Sequence, residues 1–200
     1  MGRLLGHVVR HQKQDAISLW HWIRRRDHGV GPGDRAFGYA SEQAPIMFAL
    51  LGVIVVETTV VGFLLPWWWI HVLDGIAVVQ VLAAIASLKV RPHVLRADTL
   101  VVRSGPMIHV DVPLELVVSV RAELKHHDGT STYQVRGDEL CLVQGNQTDL
   151  TLELSDPVST TRSNGEPLLV RVLRFRADEP RAAADAIREA VERRRTALTA

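Results

Sequence analysis

Residues 44–65 read APIMFALLGVIVVETTVVGFLL, and residues 70–88 read IHVLDGIAVVQVLAAIASL. Each run carries one charged residue, Glu57 in the first and Asp74 in the second, and each has roughly the 20 residues that a helix needs to cross a bilayer. The uncharged link PWWW, residues 66–69, joins them. The pattern predicts a transmembrane helical hairpin. The alternative is a buried hairpin in a water-soluble protein, where two such runs in series are rare.

The average composition hides this segregation. Charged residues make up 22% of the 200 residues and the mean hydropathy is +0.09, both ordinary values for a water-soluble protein. The charge lies in residues 1–43 and 89–200, on either side of the hairpin at 44–88. The net charge of +1 gives no bias towards nucleic acid, so no nucleic-acid partner is expected. We therefore divide the chain into an N-terminal arm, the hairpin and a C-terminal domain at these boundaries.

Basic residues flank the hairpin and avoid its link. Eight Lys and Arg residues lie near its two outer ends: Arg24, Arg25, Arg26, Arg35, Lys89, Arg91, Arg96 and Arg103. Positive charge stays on the cytoplasmic side of a membrane. We therefore expect a cell (inner or plasma) membrane protein with two spans, both termini in the cytoplasm, and the tryptophans of the link at the outer interface.

The N-terminal arm contains an amphipathic stretch, AISLWHWIRRR, at residues 16–26. Its apolar residues recur at helical spacing, and Arg24, Arg25 and Arg26 follow at the end of the predicted helix. One interpretation is a helix that lies in the plane of the inner leaflet, held by Trp20 and the three arginines. The alternative is that the apolar face packs against the cytoplasmic domain.

The domain at residues 89–200 changes to a period of two. Leu150, Leu152 and Leu154, for example, alternate with polar residues, which predicts strands that are apolar on one face. Turn signals divide the region into roughly seven short antiparallel strands, and the triplet DEP at 178–180 opens a terminal helix. The expected fold class is α+β, with the helical hairpin followed by an antiparallel β-barrel or sandwich and a C-terminal helix.

Several short motifs carry a family resemblance: Glu57-Thr58, Pro66-Trp67, SLKVRPH at 87–93, LVVRSG at 100–105, Val112-Pro113 and Asp178-Glu179-Pro180. In these, and in the order of its elements, the chain resembles the two-helix membrane proteins of actinobacteria that carry a bacterial pleckstrin-homology-like (PH-like) domain. The resemblance covers roughly residues 40–195. It implies a PH-like domain, and because the family has no established reaction, it implies no catalytic residue.

Glu57 is the clearest candidate for a functional residue within the membrane. An ionisable group near the bilayer middle is costly and is by default a functional hypothesis. Folding the hairpin about its link brings Glu57 close in depth to Gln80. One interpretation is an intramembrane polar pair, in which a protonated Glu57 is hydrogen-bonded to Gln80, or across a dimer. The other is a proton relay, for which Thr58, Thr59 and Ser87 are a thin set of further groups.

Arg91 and Arg96, followed by Arg103, flank the first strands of the domain, where eukaryotic PH domains hold phosphoinositides. Anionic lipid headgroups are the ligand that they suggest, although closeness to the bilayer explains them equally well. The pair His126-His127 is a poor metal site because adjacent residues of an extended chain point to opposite faces. The sequence contains no catalytic or phosphate-loop motif, so we expect no enzyme, cofactor or metal.

Two functions remain. The first is a membrane-anchored, non-enzymatic interaction module that presents a PH-like domain at the inner leaflet to a protein or lipid ligand. The alternative is a small accessory or regulatory subunit of a transport or cell-envelope complex, with a membrane-protein partner or a homodimer. The position of Glu57 near the middle of the membrane motivates the alternative. A single hairpin is too small to enclose a transport pathway, so transport would require an oligomer or a partner.

Overall fold

The computed structural model describes Trp22 and residues 29–64, 68–105, 108–129, 131–161 and 166–199. The chain folds as two compact units. Ser41–Val90 belongs to the first unit, and Gly29–Ala40 and Arg91–Ala200 form the second.

The first unit contains the two helices α1 (Gln43–Leu64) and α2 (Trp68–Val90). With 22 residues and a mean hydropathy of 2.3, α1 is long and apolar enough to cross a membrane. None of its residues is buried. Helix α2 contains a shorter apolar stretch, His71–Ser87. By length and composition the described residues therefore hold one membrane-spanning candidate, and the second predicted span remains a prediction.

The two helices pack against each other along one stripe. The half-buried residues of α1 recur every three or four positions, as expected when one face meets a neighbouring helix: Met47, Leu51, Ile54, Thr58 and Val61. Near the link, a Cβ at Gly62 would lie 2.9 Å from Cε1 of His71, so the absent side chain permits this close approach. The Gly62–His71 contact sets the register of the helix pair.

The second unit begins with a four-stranded antiparallel sheet in the order β1-β2-β3-β4. Its strands are β1 (Arg35–Phe37), β2 (His93–Leu95), β3 (Thr99–Ser104) and β4 (Ile108–Pro113). Strand β1 precedes the helices and β2 follows them, yet the two strands pair directly. Residues 29–40 therefore belong to the sheet unit, although the sequence analysis assigned them to the arm. A strand of three residues is too short to show a period of two.

A second sheet has the order β5-β8-β9-β7-β6. After a short 3₁₀ turn at Leu114–Leu116, its strands run in chain order as β5 (Val117–His126), β6 (Tyr133–Arg136), β7 (Glu139–Leu142), β8 (Gln147–Thr161) and β9 (Pro167–Phe175). All pairs are antiparallel except β7 with β9. The chain ends in α3 (Pro180–Thr199). The α+β class, the antiparallel sheets and the C-terminal helix are confirmed.

The core of this unit lies between the sheets and α3. Its largest fully buried side chains include Leu100, Leu114, Leu140, Leu152, Leu173, Phe175 and Ile187. Helix α3 also covers the edge of β5, because Arg188 donates two hydrogen bonds to the Val120 carbonyl, of 3.1 and 2.8 Å, and Arg195 donates one of 3.0 Å to that of Val117. These arginines satisfy backbone groups that an edge strand leaves unpaired.

The pattern of β5 differs from the expected alternation. The alternation of Val118, Val120, Ala122 and Leu124 in the sequence predicts one buried face, but only Val120 is buried. The register of β5 against β8 shifts between Val117 and Ser119 and again between Ala122 and Lys125. Each bulge changes which residues face the core, so Val118 and Leu124 are exposed.

Candidate functional site

The segments that precede and follow the helices in the chain pair in one sheet. The chain leaves β1 at Phe37, passes through α1 and α2, and returns in β2 at His93, which is the cross-strand partner of Phe37. We call the residues around this meeting point, Tyr39, Arg91, His93, Arg96 and Arg103, the junction. They all belong to the second unit.

An aromatic stack holds the junction together. The ring of Tyr39 stacks on the imidazole of His93 with centroids 4.8 Å apart, and Phe175 of β9 meets the imidazole edge-on at 4.9 Å. The hydroxyl of Tyr39 accepts a hydrogen bond of 3.1 Å from the backbone N–H of Gly105. Burial raises the pKa of Tyr39. The residues just before α1 are therefore anchored on β2, β3 and β9.

His93 is buried in its neutral form. Its Nδ1 accepts a hydrogen bond of 3.0 Å from the backbone N–H of Arg103, which leaves the proton on Nε2. That Nε2–H donates to the carbonyl of Arg176 at 2.7 Å. Burial lowers the pKa of His93 to about 4, although the bond to the Arg176 carbonyl acts in the opposite direction. With both ring nitrogens paired, this histidine has a structural role.

A buried ion pair continues the network into the second sheet. The guanidinium of Arg176 lies 3.7 Å from the carboxylate of Asp149 and also donates to the carbonyl of Gln144 at 3.1 Å. Asp149 accepts a hydrogen bond of 2.8 Å from the N–H of Ala177. Burial raises the pKa of Asp149, against the effects of Ala177 and Arg176. These contacts hold the end of β9 against the loop that precedes β8 and against β8 itself.

Three arginines, Arg91, Arg96 and Arg103, bring positive charge to the junction. The side chain of Arg103 lies against Gly29, whose φ is +73°. A Cβ at Gly29 would come within 2.7 Å of Nη2 of Arg103, so only glycine leaves room for the guanidinium. After burial, the positive charges of Arg96 and Arg91 lower the pKa of Arg103. The two arginines predicted as anionic-lipid contacts, Arg91 and Arg96, are thus brought together with a third, which β3 supplies through its pairing with β2.

This arginine cluster is suited to an anion with several oxygen atoms. A guanidinium donates two parallel hydrogen bonds to a phosphate, and a bound anion also relieves the repulsion between neighbouring like charges. Acidic side chains also lie nearby, since Asp34 is 4.0 Å from Arg96 and Asp111 acts on Arg103. The neutral, enclosed imidazole of His93 is not placed to exchange protons with such an anion.

Glu57 and Gln80 are both exposed, and no hydrogen bond joins them among the described residues of α1 and α2. The Gly62–His71 contact explains this. In an antiparallel pair, Glu57, five residues before Gly62, lies level with Ile76, five residues after His71. Gln80 is four residues further on, an offset of about 6 Å along the helix axis. The expected closeness in depth within one hairpin is therefore off by one helical turn.

The other candidates are quickly placed. Trp20, Arg24, Arg25 and Arg26 lie outside the described residues. His126 and His127 have different partners: His127 Nε2 lies 2.8 Å from the hydroxyl of Thr148, and His126 Nδ1 lies 3.5 Å from the amide of Gln147. Three further residues of the network, Tyr39, Asp149 and Arg176, are not marked by any local sequence pattern, because their partners are distant in the chain.

Comparisons with known protein families, curated proteins and solved structures found no significant match. The PH-like resemblance therefore stays an expectation that rests on the motifs quoted above.

Proposed function

We propose that the protein is a membrane-anchored, non-enzymatic interaction module. Its α1–α2 hairpin crosses the cell membrane twice, and its second unit, a PH-like domain, binds anionic lipid headgroups at the inner leaflet. The single observation that carries this proposal is the cluster of Arg91, Arg96 and Arg103, of which Arg91 directly follows Val90, the last residue of α2. Arginines that follow a membrane-spanning helix in the chain are where lipid phosphates would be met.

The pairing of β1 with β2 supports two crossings. Because Phe37 and His93 are partners in one sheet, the chain between them must start and finish on the same side of any membrane. If α1 crosses, α2 must therefore cross back. The apolar stretch His71–Ser87 has 17 residues, which is the short end of the range for a spanning helix. Neither helix can span without the other.

Topology is the first prediction. In a Cys141→Ser background, single cysteines are introduced at residue 69, beside the link, and at residue 185, on α3. On intact cells, an impermeant maleimide is expected to label residue 69 and not residue 185, and to label both after permeabilisation. Labelling of residue 185 but not 69 on intact cells would reverse the orientation. Labelling of neither or both would contradict the two crossings.

Lipid binding is tested on the full-length protein in mild detergent by native mass spectrometry. Titration with an anionic phospholipid is expected to give bound species at concentrations where a zwitterionic phospholipid of the same acyl chains gives none. The difference should shrink as salt rises, because exposed charges are screened over about 10 Å at 0.1 M. Equal retention of the anionic and the zwitterionic lipid would contradict binding through the anionic headgroup.

The alternative, an accessory or regulatory subunit of a transport or cell-envelope complex, is favoured by the outward position of Glu57 in the middle of α1. In a strain with a deletion phenotype, Glu57→Gln distinguishes the two. Loss of complementation with unchanged folding would favour the accessory subunit, because the amide of Gln can still form hydrogen bonds but has no titratable proton. Full complementation would favour the interaction module.

A further inference from the structure

We propose that the face of the hairpin that carries Glu57 and Gln80 is a homodimer interface within the membrane. The proposal rests on the two membrane crossings of the proposed function. Its occupant is a second copy of this chain, and its contacts are hydrogen bonds between Glu57 of each copy and Gln80 of the other.

The two residues project from the same side of the hairpin. Glu57 comes one residue before Thr58, and Gln80 one residue before Val81, and both of these neighbours are half-buried in the stripe between the helices. One step back along an α-helix turns a side chain by about 100°. Because the helices are antiparallel, a step back from the stripe in each of them leads to the same side. Thr59, one step forward from Thr58, lies on the opposite side.

Apart from Glu57 and Gln80, this face of the hairpin is apolar. Large apolar side chains surround them on both helices and are exposed: Leu50, Val53, Leu73 and Ile76. A carboxyl and an amide facing lipid without a partner are costly, since no water is present to bond them. Thr59 on the opposite face needs no outside partner, because its hydroxyl donates to the Val55 carbonyl at 2.8 Å.

A second copy satisfies both groups at once. A carboxylate or carboxyl oxygen accepts from an amide N–H, so Glu57 and Gln80 are complementary, and a two-fold axis along the membrane normal uses each pair twice. Within one hairpin, the two side chains project from the same side of neighbouring helices and are offset by about 6 Å along the axis, so they do not point at each other. A two-fold axis along the membrane normal places Glu57 of one copy opposite Gln80 of the other, and long side chains and a helix crossing of about 20° can then close the same offset.

The surface is mapped by cross-linking full-length protein reconstituted in vesicles, in the Cys141→Ser background, with a flexible bifunctional thiol reagent, because α1 of one copy faces α2 of the other and two copies of one α1 position are too far apart for a direct disulfide. Leu50→Cys probes the proposed face and Val55→Cys the opposite one, and the native side chains are matched in exposure at 48% and 47%. At high protein density, the reagent is expected to link Leu50→Cys dimers at least fivefold more efficiently than Val55→Cys. Equal or reversed efficiencies would overturn the proposed face.

The hydrogen bonds are tested by the dependence of energy transfer between labelled copies on protein density. Glu57→Leu or Gln80→Leu is expected to weaken dimerisation roughly tenfold, since each change removes both symmetric bonds. The double variant should be no weaker than either single variant, because the partners act as pairs. Glu57→Gln, which keeps a donor and an acceptor, and the control Thr59→Val should dimerise as the parent does.

The outcomes separate this inference from the proposed function. A protein that resists alkaline extraction from membranes, but stays monomeric at all densities, overturns the dimer and leaves the anchor standing. A protein that alkaline treatment releases contradicts the membrane crossings themselves. Cross-linking of Leu50→Cys in cells to a different membrane protein, with no dimer formed, would overturn the second copy as the occupant.

Discussion

Replacing Arg91, Arg96 and Arg103 together by Gln is expected to weaken the binding of anionic phospholipid to the full-length protein about 100-fold. A basic residue near an anionic surface contributes about 1 kcal/mol, and 1.4 kcal/mol is a factor of ten in affinity. Three arginines therefore account for roughly two powers of ten. The measurement is the titration of anionic lipid by native mass spectrometry, with zwitterionic lipid alongside.

A matched variant separates the cluster from total charge. Arg121, Arg136 and Arg171 lie on the five-stranded sheet, and their replacement by Gln removes the same three charges at other positions. This control should bind anionic lipid within about twofold of the parent. Equal losses in both triple variants would mean that the attraction is a property of the net charge and would remove the junction as the binding site.

A third variant tests whether the guanidinium group itself is needed. Lysines at positions 91, 96 and 103 keep the charge but lose the planar pair of donors that matches a phosphate. An intermediate loss is therefore expected if the arginines hold a headgroup directly. Full retention with lysine would indicate attraction to the membrane surface without a defined headgroup site.

The sequence predicts those parts of the fold that rest on local periodicity. The first apolar run, the strand that contains Leu150, Leu152 and Leu154, and the DEP start of α3 each lie within one stretch of chain, and each forms the expected helix or strand. Strand β1 shows no such signal. It is held in place because β2 supplies its hydrogen bonds across the whole intervening hairpin.

The candidate site was predictable to the same degree. Arg91 and Arg96 follow from their closeness to the apolar run, whereas the role of Arg103 depends on the pairing of β3 with β2. The partner of His93, the Arg176 carbonyl, is 83 residues away, and no periodicity can reveal it. The depth of Glu57 relative to Gln80 depends on the Gly62–His71 contact, which a count of residues from the link does not provide.

Lowering the pH from 7.5 to about 4 is expected to destabilise the second unit by about 3 kcal/mol through His93 alone. The pKa of this histidine is about 4 in the folded chain and 6.5 in the unfolded chain. Between these values the unfolded state binds the proton more tightly, so stability falls as the pH falls. The full contribution is present above pH 6.5 and is lost by about pH 4, and a pKa difference of that size corresponds to about 3 kcal/mol.

Other groups titrate in or near this window. Burial and neighbouring positive charges lower the pKa of His127, which acts in the same direction. Burial raises the pKa of Asp149, which acts in the opposite direction. Although burial raises it, the pKa of Glu139 is lowered overall by Arg174 and Lys125, so its contribution is lost only at lower pH. The effect of His93 is therefore the difference between the parent and a His93 variant at each pH.

Cys141 provides the measurement, because it is buried in the second unit and its thiol reacts only when that unit opens. The rate at which an acid-tolerant disulfide reagent modifies Cys141 is divided by the rate in denatured protein at the same pH. This ratio gives the equilibrium constant for opening of the unit. Between pH 6.5 and 4, the rise in the parent should exceed the rise in a His93 variant about 100-fold, since 3 kcal/mol is just over two powers of ten. His93→Gln keeps a donor for the Arg176 carbonyl and an acceptor for the Arg103 N–H, so it should fold with a much flatter profile. His93→Phe keeps an aromatic ring between Tyr39 and Phe175 but leaves both backbone groups unpaired, so it should cost about 1–3 kcal/mol at neutral pH and also flatten the profile. A His93→Gln protein that loses protection of Cys141 on acidification as steeply as the parent would show that the buried imidazole is not what makes the junction sensitive to acid.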